Sequence, residues 1–168
     1  MAYRVLLLSV MLTACGPLGP VPGGKLDGEL ASGPERDWSF TDTYKTVQLE
    51  TRPDDPYSIN VWCVSVGRNL YVGAGQGASS TWARALLDDA RARIRIGGTV
   101  YRVSTSRVTD PSEITSYLGA LSRKYSDADG RLSDFQPGPD QQASAILFRL
   151  APRPGNGAAQ QGNEADRP

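Results

Sequence analysis

Between Ser58 and Val66 the chain carries apolar side chains on both faces of one extended segment. Ile59, Val61 and Cys63 alternate with Trp62, Val64 and Val66. A strand that is apolar on both faces must be covered on both sides. This one reads as a central strand, in a sheet curled over itself or sandwiched by helices. A tight turn at Gly67-Arg68 or Arg68-Asn69 returns the chain as a second strand over Leu70–Ala74, and the pair is a hairpin.

The flanking segments extend the pattern. Tyr44–Thr51 alternates and reads as a first strand, closed by the turn Pro53-Asp54-Asp55-Pro56. After the glycine-rich stretch Gly73–Gly77, Ser79 or Ser80 can cap a helix to about Asp89, with Trp82, Ala83, Leu86, Leu87 and Ala90 as its buried stripe. Arg91–Ile96 alternates, with Ala92, Ile94 and Ile96 inward and Arg91, Arg93 and Arg95 outward. Gly97-Gly98 turns it into the strand Thr99–Val108. Asp110-Pro111-Ser112-Glu113 supplies an N-cap, a proline at the first helical position and a glutamate three residues on. Ile114, Tyr117, Leu118, Leu121 and Tyr125 follow at helical spacing. Ser126–Gln142 reads as irregular and Ala143–Leu150 as a last strand. The order is β-β-β-α-β-β-α-β, which hairpin connections turn into a small antiparallel barrel with two helices.

Glycine and proline crowd between Gly16 and Gly33 and again after Pro137, leaving a core of roughly 110 residues, enough for one hydrophobic centre. Eighteen Lys and Arg balance eighteen Asp and Glu, so the basic footprint of a nucleic-acid binder is missing. The chain has no histidine, which excludes Ser-His-Asp and Cys-His catalysis and His-ligated metals. With two cysteines at positions 15 and 63, no zinc finger or iron–sulfur cluster is expected either.

Arg4 precedes an apolar run, Val5–Ala14, which as a helix spans about 15 Å, half of a bilayer core of about 30 Å. It reads as a signal segment. Leu12-Thr13-Ala14-Cys15 resembles the lipobox of bacterial lipoprotein signals, whose cysteine accepts diacylglycerol and an amide-linked fatty acid such as palmitate. The expected organisation is a signal peptide over 1–14 and a lipidated Cys15 opening a flexible tether over 15–36. A folded domain over 37–151 and a disordered tail over 152–168 complete it. By resemblance to Gram-negative sorting rules, Gly16 after the cysteine directs the protein to the outer membrane. Cys63 then has no partner and is expected to be a buried thiol.

Tyr57–Val64, a turn and Asn69-Leu70-Tyr71-Val72 resemble the first hairpin of the pyridoxamine-phosphate-oxidase-like split barrels. Trp82–Asp89 followed by Ala90–Ile94 resembles their helix and next strand. The resemblance covers about seventy residues and implies an α+β fold, a six-stranded antiparallel split β-barrel with two helices. It also implies an FMN, deazaflavin or haem site in the cleft of a homodimer. Flavin binders of this kind hold the phosphate with basic residues on the second strand and a Ser-Arg-Lys cluster before the helix. The corresponding positions here are Asn60, Ser65 and Ser80-Thr81-Trp82, hydroxyls and an amide without cations.

The segment Gly75–Thr81 is the candidate ligand site. Gly75 and Gly77 allow close backbone approach; Ser79, Ser80 and Thr81 add hydroxyls at a helix start, and Arg84 follows one turn on. Arg91, Arg93 and Arg95 read as a solvated strand face rather than an anion stripe. Asp54/Asp55 and Asp88/Asp89 are not aimed as an acid/base pair, and Trp62, Trp82 and Tyr101 read as core. No catalytic residue stands out. The sequence points to an envelope lipoprotein with a small-ligand-binding or structural domain; the alternative is a flavin- or deazaflavin-dependent oxidoreductase.

Overall fold

The computed structural model describes residues 17–19, 21–32, 37–126 and 145–153. The signal segment, Cys15, residues 127–142 of the irregular stretch, residues 143 and 144 of the expected last strand and the tail from 154 lie outside them. One antiparallel sheet dominates, built from β2 (Val47–Thr51), β3 (Tyr57–Val61), β4 (Cys63–Val66), β5 (Asn69–Ala74), β6 (Arg91–Ile96), β7 (Thr99–Val108) and β8 (Ile146–Pro152). A two-residue strand, β1 (Glu29–Leu30), joins β7 in parallel. Helices α1 (Thr81–Asp88) and α2 (Pro111–Tyr125) complete the set. Among the described residues no helix is long and apolar enough to cross a membrane.

The strand order is β3-β2-β6-β7-β8-β5-β4. Consecutive strands β3 and β4 therefore stand at opposite ends of the hydrogen-bonded path, joined through Trp62 alone, and the sheet curls until its two ends are one piece of chain. This is the α+β split barrel that the sequence leads one to expect, with a different strand count. The expected single central strand over 58–66 is two edge strands, and β1 adds a short one. Both faces of the segment are covered as expected, one by the curled sheet and the other by α2, rather than by a central position in the sheet. Val61 and Cys63 enter the barrel core with Leu49, Ile94, Val103 and Phe148. Val64 packs with Ala120, Leu121 and Tyr125 of α2, with Trp62 against that cluster.

Chemistry at Trp62 explains the break. Its ring stacks on Tyr125 with centroids 4.4 Å apart and planes 6° apart. The Cys63 N–H donates to the Tyr125 hydroxyl at 3.1 Å, and the Cys63 carbonyl accepts from Lys124 Nζ at 2.8 Å. Helix α2 thus supplies the backbone partners that a continuous strand would have found in a neighbour.

The helix ends follow local rules. Asp110 caps α2 by accepting from the Glu113 N–H at 2.9 Å, with Pro111 at the first helical position. Helix α1 buries Ala83 and Leu86 in the barrel, whereas Leu87 of the expected stripe is 43% exposed, as Leu118 of α2 is at 53%. Eight residues give α1 only a narrow buried face.

The largest departure concerns the expected spacer. Residues 21–32 cross the outside of β3, β2 and β6 and end beside β7. Gly23 and Ser58 exchange backbone bonds of 2.8 Å, and the Asn60 amide donates to the Gly19 carbonyl at 2.7 Å. The Leu26 N–H donates to Glu50, and the Glu29 and Ala31 N–H groups donate to Gly98 and Val100 at 3.2 and 3.0 Å. Leu26 is 2% exposed, worth about 2 kcal/mol of apolar burial. Gly28 has φ +150°, and a Cβ there would lie 2.6 Å from the Gly98 carbonyl oxygen. Glycine permits this close approach; any side chain would lift the segment. The stretch is a strap. At the other end the domain extends to Arg153, whose N–H bonds the Arg102 carbonyl at 3.0 Å.

Candidate functional site

The six residues singled out as a ligand site form one continuous corner between β5 and α1. Strand β5 ends at Ala74, Gly77–Ser79 makes a 3-10 turn, and α1 begins at Thr81. Gly77 is buried with φ +53°, a left-handed conformation that favours glycine. Gly75 and Ser80 are half-buried, while Ser79, Thr81 and Arg84 are exposed. The Ser79 hydroxyl donates to the Gln76 carbonyl at 2.6 Å, so that turn satisfies it internally. Ser80 occupies the N-cap, but its side chain makes no capping bond, and the first helical backbone bond runs from Arg84 N–H to Ser80 O at 3.1 Å. The N–H groups of the first turn of α1 have no intrahelical acceptor. Trp82, tilted against Phe148 at 6.0 Å, pins this corner to the barrel.

The positions that the split-barrel resemblance assigns to a flavin phosphate have other partners. Asn60 holds the strap, Ser65 Oγ donates to the Asp42 carboxylate at 3.0 Å, and Trp82 packs in the core. An amide, a hydroxyl facing a carboxylate and an indole do not fit a phosphate dianion.

The outward arginines are not a uniform solvated face. Arg93 lies directly across from Glu50 and forks onto its carboxylate, with Nε at 2.7 Å. Glu50 is 3% exposed beneath the strap. Arg95 opposite Gln48 donates to its side-chain oxygen at 3.1 Å. Only Arg91 behaves as expected: exposed, it pairs with Asp89 at 2.7 Å and Asp54 at 3.5 Å. Hydrogen bonds from Arg91 hold the Asp89 carboxyl below the ordinary range. Asp54, Asp55 and Asp89 therefore serve ion pairs, Asp55 with Arg52 at 3.3 Å. The aromatic residues Trp62, Trp82 and Tyr101 are half-buried and pack against the core rather than within it, with Tyr101 edge-on to Trp38 at 5.3 Å.

A second polar cluster escaped the sequence reading. Lys124 Nζ donates to the carbonyls of Thr41 and Cys63 at 2.9 and 2.8 Å and stands 3.7 Å from Cys63 Sγ. The Tyr125 hydroxyl lies 2.9 Å from the Lys45 carbonyl. Lys124 lies in the last turn of α2, where a cation complements the helix dipole, and only the fold reveals which carbonyls it reaches. The Cys63 thiol is 0% exposed, and burial pushes its pKa up, with Lys124 opposing only in part. A raised, buried thiol is a poor nucleophile. On the far side of α2, Tyr71 donates to Glu113 at 2.7 Å and Arg149 approaches the same oxygen at 3.1 Å, which docks the helix start onto β5 and β8.

The closed strand order and the α1 corner define a split-barrel protein. Residues 41–146 match the family described as uncharacterized protein conserved in bacteria (DUF2255), and the chain belongs to that family. The strap precedes the matched region. No protein curated for function matches significantly. Among solved structures, a candidate pyridoxamine 5'-phosphate oxidase from Listeria innocua is 14% identical, with a TM-score of 0.51, over 68% of this chain and 89% of that one. An F420 reductase is 19% identical (TM-score 0.49; 71% and 95% covered). The haem storage protein HutZ of Vibrio cholerae is 20% identical (TM-score 0.46; 69% and 87% covered).

Proposed function

We propose that this protein is a lipoprotein of the bacterial cell envelope, anchored through Cys15, whose split-barrel domain is a small-ligand-binding or structural module. The anchor is supported by Leu12-Thr13-Ala14-Cys15 at the end of a short apolar run. Gly16 favours the outer membrane in a Gram-negative cell. The ligand site proposed is the corner Gly75, Gly77, Ser79, Ser80, Thr81 and Arg84, where backbone N–H groups and hydroxyls suit a carboxylate or a neutral polar group. The observation that carries a module over a flavoenzyme is the set of phosphate positions: Asn60 on the Gly19 carbonyl, Ser65 on Asp42, Trp82 on Phe148.

A flavin- or deazaflavin-dependent oxidoreductase is the second reading, favoured by the likeness of fold to the Listeria protein. The cofactor would then supply the redox chemistry and the barrel only its position.

Two measurements test these readings. The chain from Gly16 onward is purified, its absorption spectrum recorded, and FMN, a deazaflavin and haem are titrated. A colourless protein indifferent to all three supports the module. A yellow protein, or tight FMN binding lost in Ser80→Ala and Arg84→Ala, overturns it in favour of the oxidoreductase. In cells, Cys15→Ser is expected to leave the membrane fraction, and unchanged membrane association refutes the anchor.

A further inference from the structure

We propose that the turn formed by Leu18 and Val21 inserts into the boundary layer of the lipid bilayer and, with the anchor, fixes the barrel in one orientation on the membrane. The proposal rests on the lipid anchor at Cys15 and adds a second membrane contact to it.

Leu18 and Val21 exchange backbone bonds of 3.1 and 2.9 Å, forming a tight turn whose two apolar side chains are 78% and 60% exposed. They are the most exposed large apolar residues among the described part of the chain. The turn is held to the barrel from both sides. The Pro17 carbonyl accepts from Gln48 at 3.3 Å, the Gly19 carbonyl accepts from Asn60 at 2.7 Å, and the Gly23–Ser58 bridge follows.

This docking removes the slack that a tether would give. A flexible chain over 16–34 would let the domain wander roughly 24 Å from its anchor. Here the chain already touches β2 at Pro17, two residues after the cysteine, a reach of roughly 7 Å. A diacylated Cys15 therefore brings the Leu18–Val21 turn to the headgroup level. Exposed leucine and valine there exchange water for acyl chain, as interfacial apolar residues do within the outer 5–10 Å of a bilayer. The strap's Glu29 comes later, where the strap has reached β7, two to three strand spacings or roughly 10–14 Å of sheet from β2 and β3. The membrane side is accordingly the β3–β2 end of the strap, with Leu30, beside Val100 on β7, facing water.

The test uses the full lipidated protein in bacterial phospholipid bilayers, with a nitroxide on Leu18→Cys, Val21→Cys or Leu30→Cys. Buried Cys63 and acylated Cys15 do not compete for the label. Expected is several-fold greater collision with oxygen than with an aqueous nickel chelate at 18 and 21, and the reverse at 30. Water-like collision at 18 and 21 in protein that fractionates with membranes overturns the orientation and leaves the anchor standing. Spin–spin broadening at those positions also overturns it, since the turn then meets a second copy. Wild-type protein absent from the membrane fraction removes the anchor and the proposal together.

Discussion

The carboxylate of Glu50 is shared between the guanidinium of Arg93, directly across the sheet, and the backbone N–H of Leu26. One buried charge thus closes an ion pair within the barrel and fastens the strap over it. Glu50→Gln keeps the shape but removes the charge, leaving Arg93, 22% exposed, without its counterion. Losing one partner of such a pair costs about 3 kcal/mol. Thermal unfolding is expected to shift down by several degrees, and hydrogen exchange at the Leu26 amide to accelerate before the barrel amides follow.

Gly28→Ala separates strap from barrel. The new Cβ meets the Gly98 carbonyl oxygen at 2.6 Å and the Val100 side chain at 3.0 Å. Backbone cannot yield as a flexible side chain can, so the Glu29 and Ala31 bonds are expected to open at a cost of about 2 kcal/mol. Amide exchange at residues 29 and 31 should quicken, with β5 and β8 unchanged. Unaltered exchange there would refute the close approach.

Tyr125→Phe keeps the ring stacked on Trp62 and deletes the hydroxyl that receives the Cys63 N–H. A buried donor left unpaired costs about 1–3 kcal/mol. Lys124→Met removes the cation from the carbonyls of Thr41 and Cys63 at the same joint. Because the two share Cys63, the double variant is expected to lose less than the sum of the singles. A chemical-denaturation cycle checks this, and strict additivity would show the two contacts to be independent.

Alkaline pH should weaken the fold in a definite window. Burial pushes the Tyr117 phenol up to about 12 from its ordinary value of 10, and burial also raises Tyr71 and Tyr125. Above pH 10 the unfolded chain releases these protons while the folded one keeps them, so the folded state binds more protons and stability falls as pH rises. For Tyr117 the contribution is complete below pH 10 and gone above 12, on the order of 2–3 kcal/mol. Melting temperature against pH is expected to decline across that interval, and less steeply in Tyr117→Phe.

Much of this architecture is legible in the residues. The alternation of Arg91–Ile96, the Gly97-Gly98 turn and the Asp110-Pro111 cap act over a few residues, where steric and capping rules decide. The two apolar faces of 58–66 were legible as well; the break at Trp62 was not, since it depends on Tyr125, far along the chain. The strap left almost no signal. It buries one large apolar residue, Leu26, and its bonds to Ser58, Glu50, Gly98 and Val100 run through its own backbone, which no side-chain pattern records. Its glycines and prolines give the composition of a linker. For the same reason Arg93 and Arg95 looked solvated, since nothing local says what lies above them. The hydroxyl-rich corner before α1 was recognisable as a unit, but the internal use of Ser79 on Gln76 emerges only from the folded turn.

The joint at Trp62 makes both ends of the strand order one continuous segment, and an unpaired strand is a template on which another chain can stack. Both ends are guarded. Gly23 occupies the backbone N–H and C=O of Ser58 on β3, and Lys124 and Tyr125 occupy those of Cys63 on β4. By bonding Ser58, the strap denies that stretch of β3 backbone to a second chain. Proteolytic trimming beyond Gly23 is expected to uncover the Ser58 backbone on β3 while leaving the barrel core in place, turning a covered edge into a seed for aggregation.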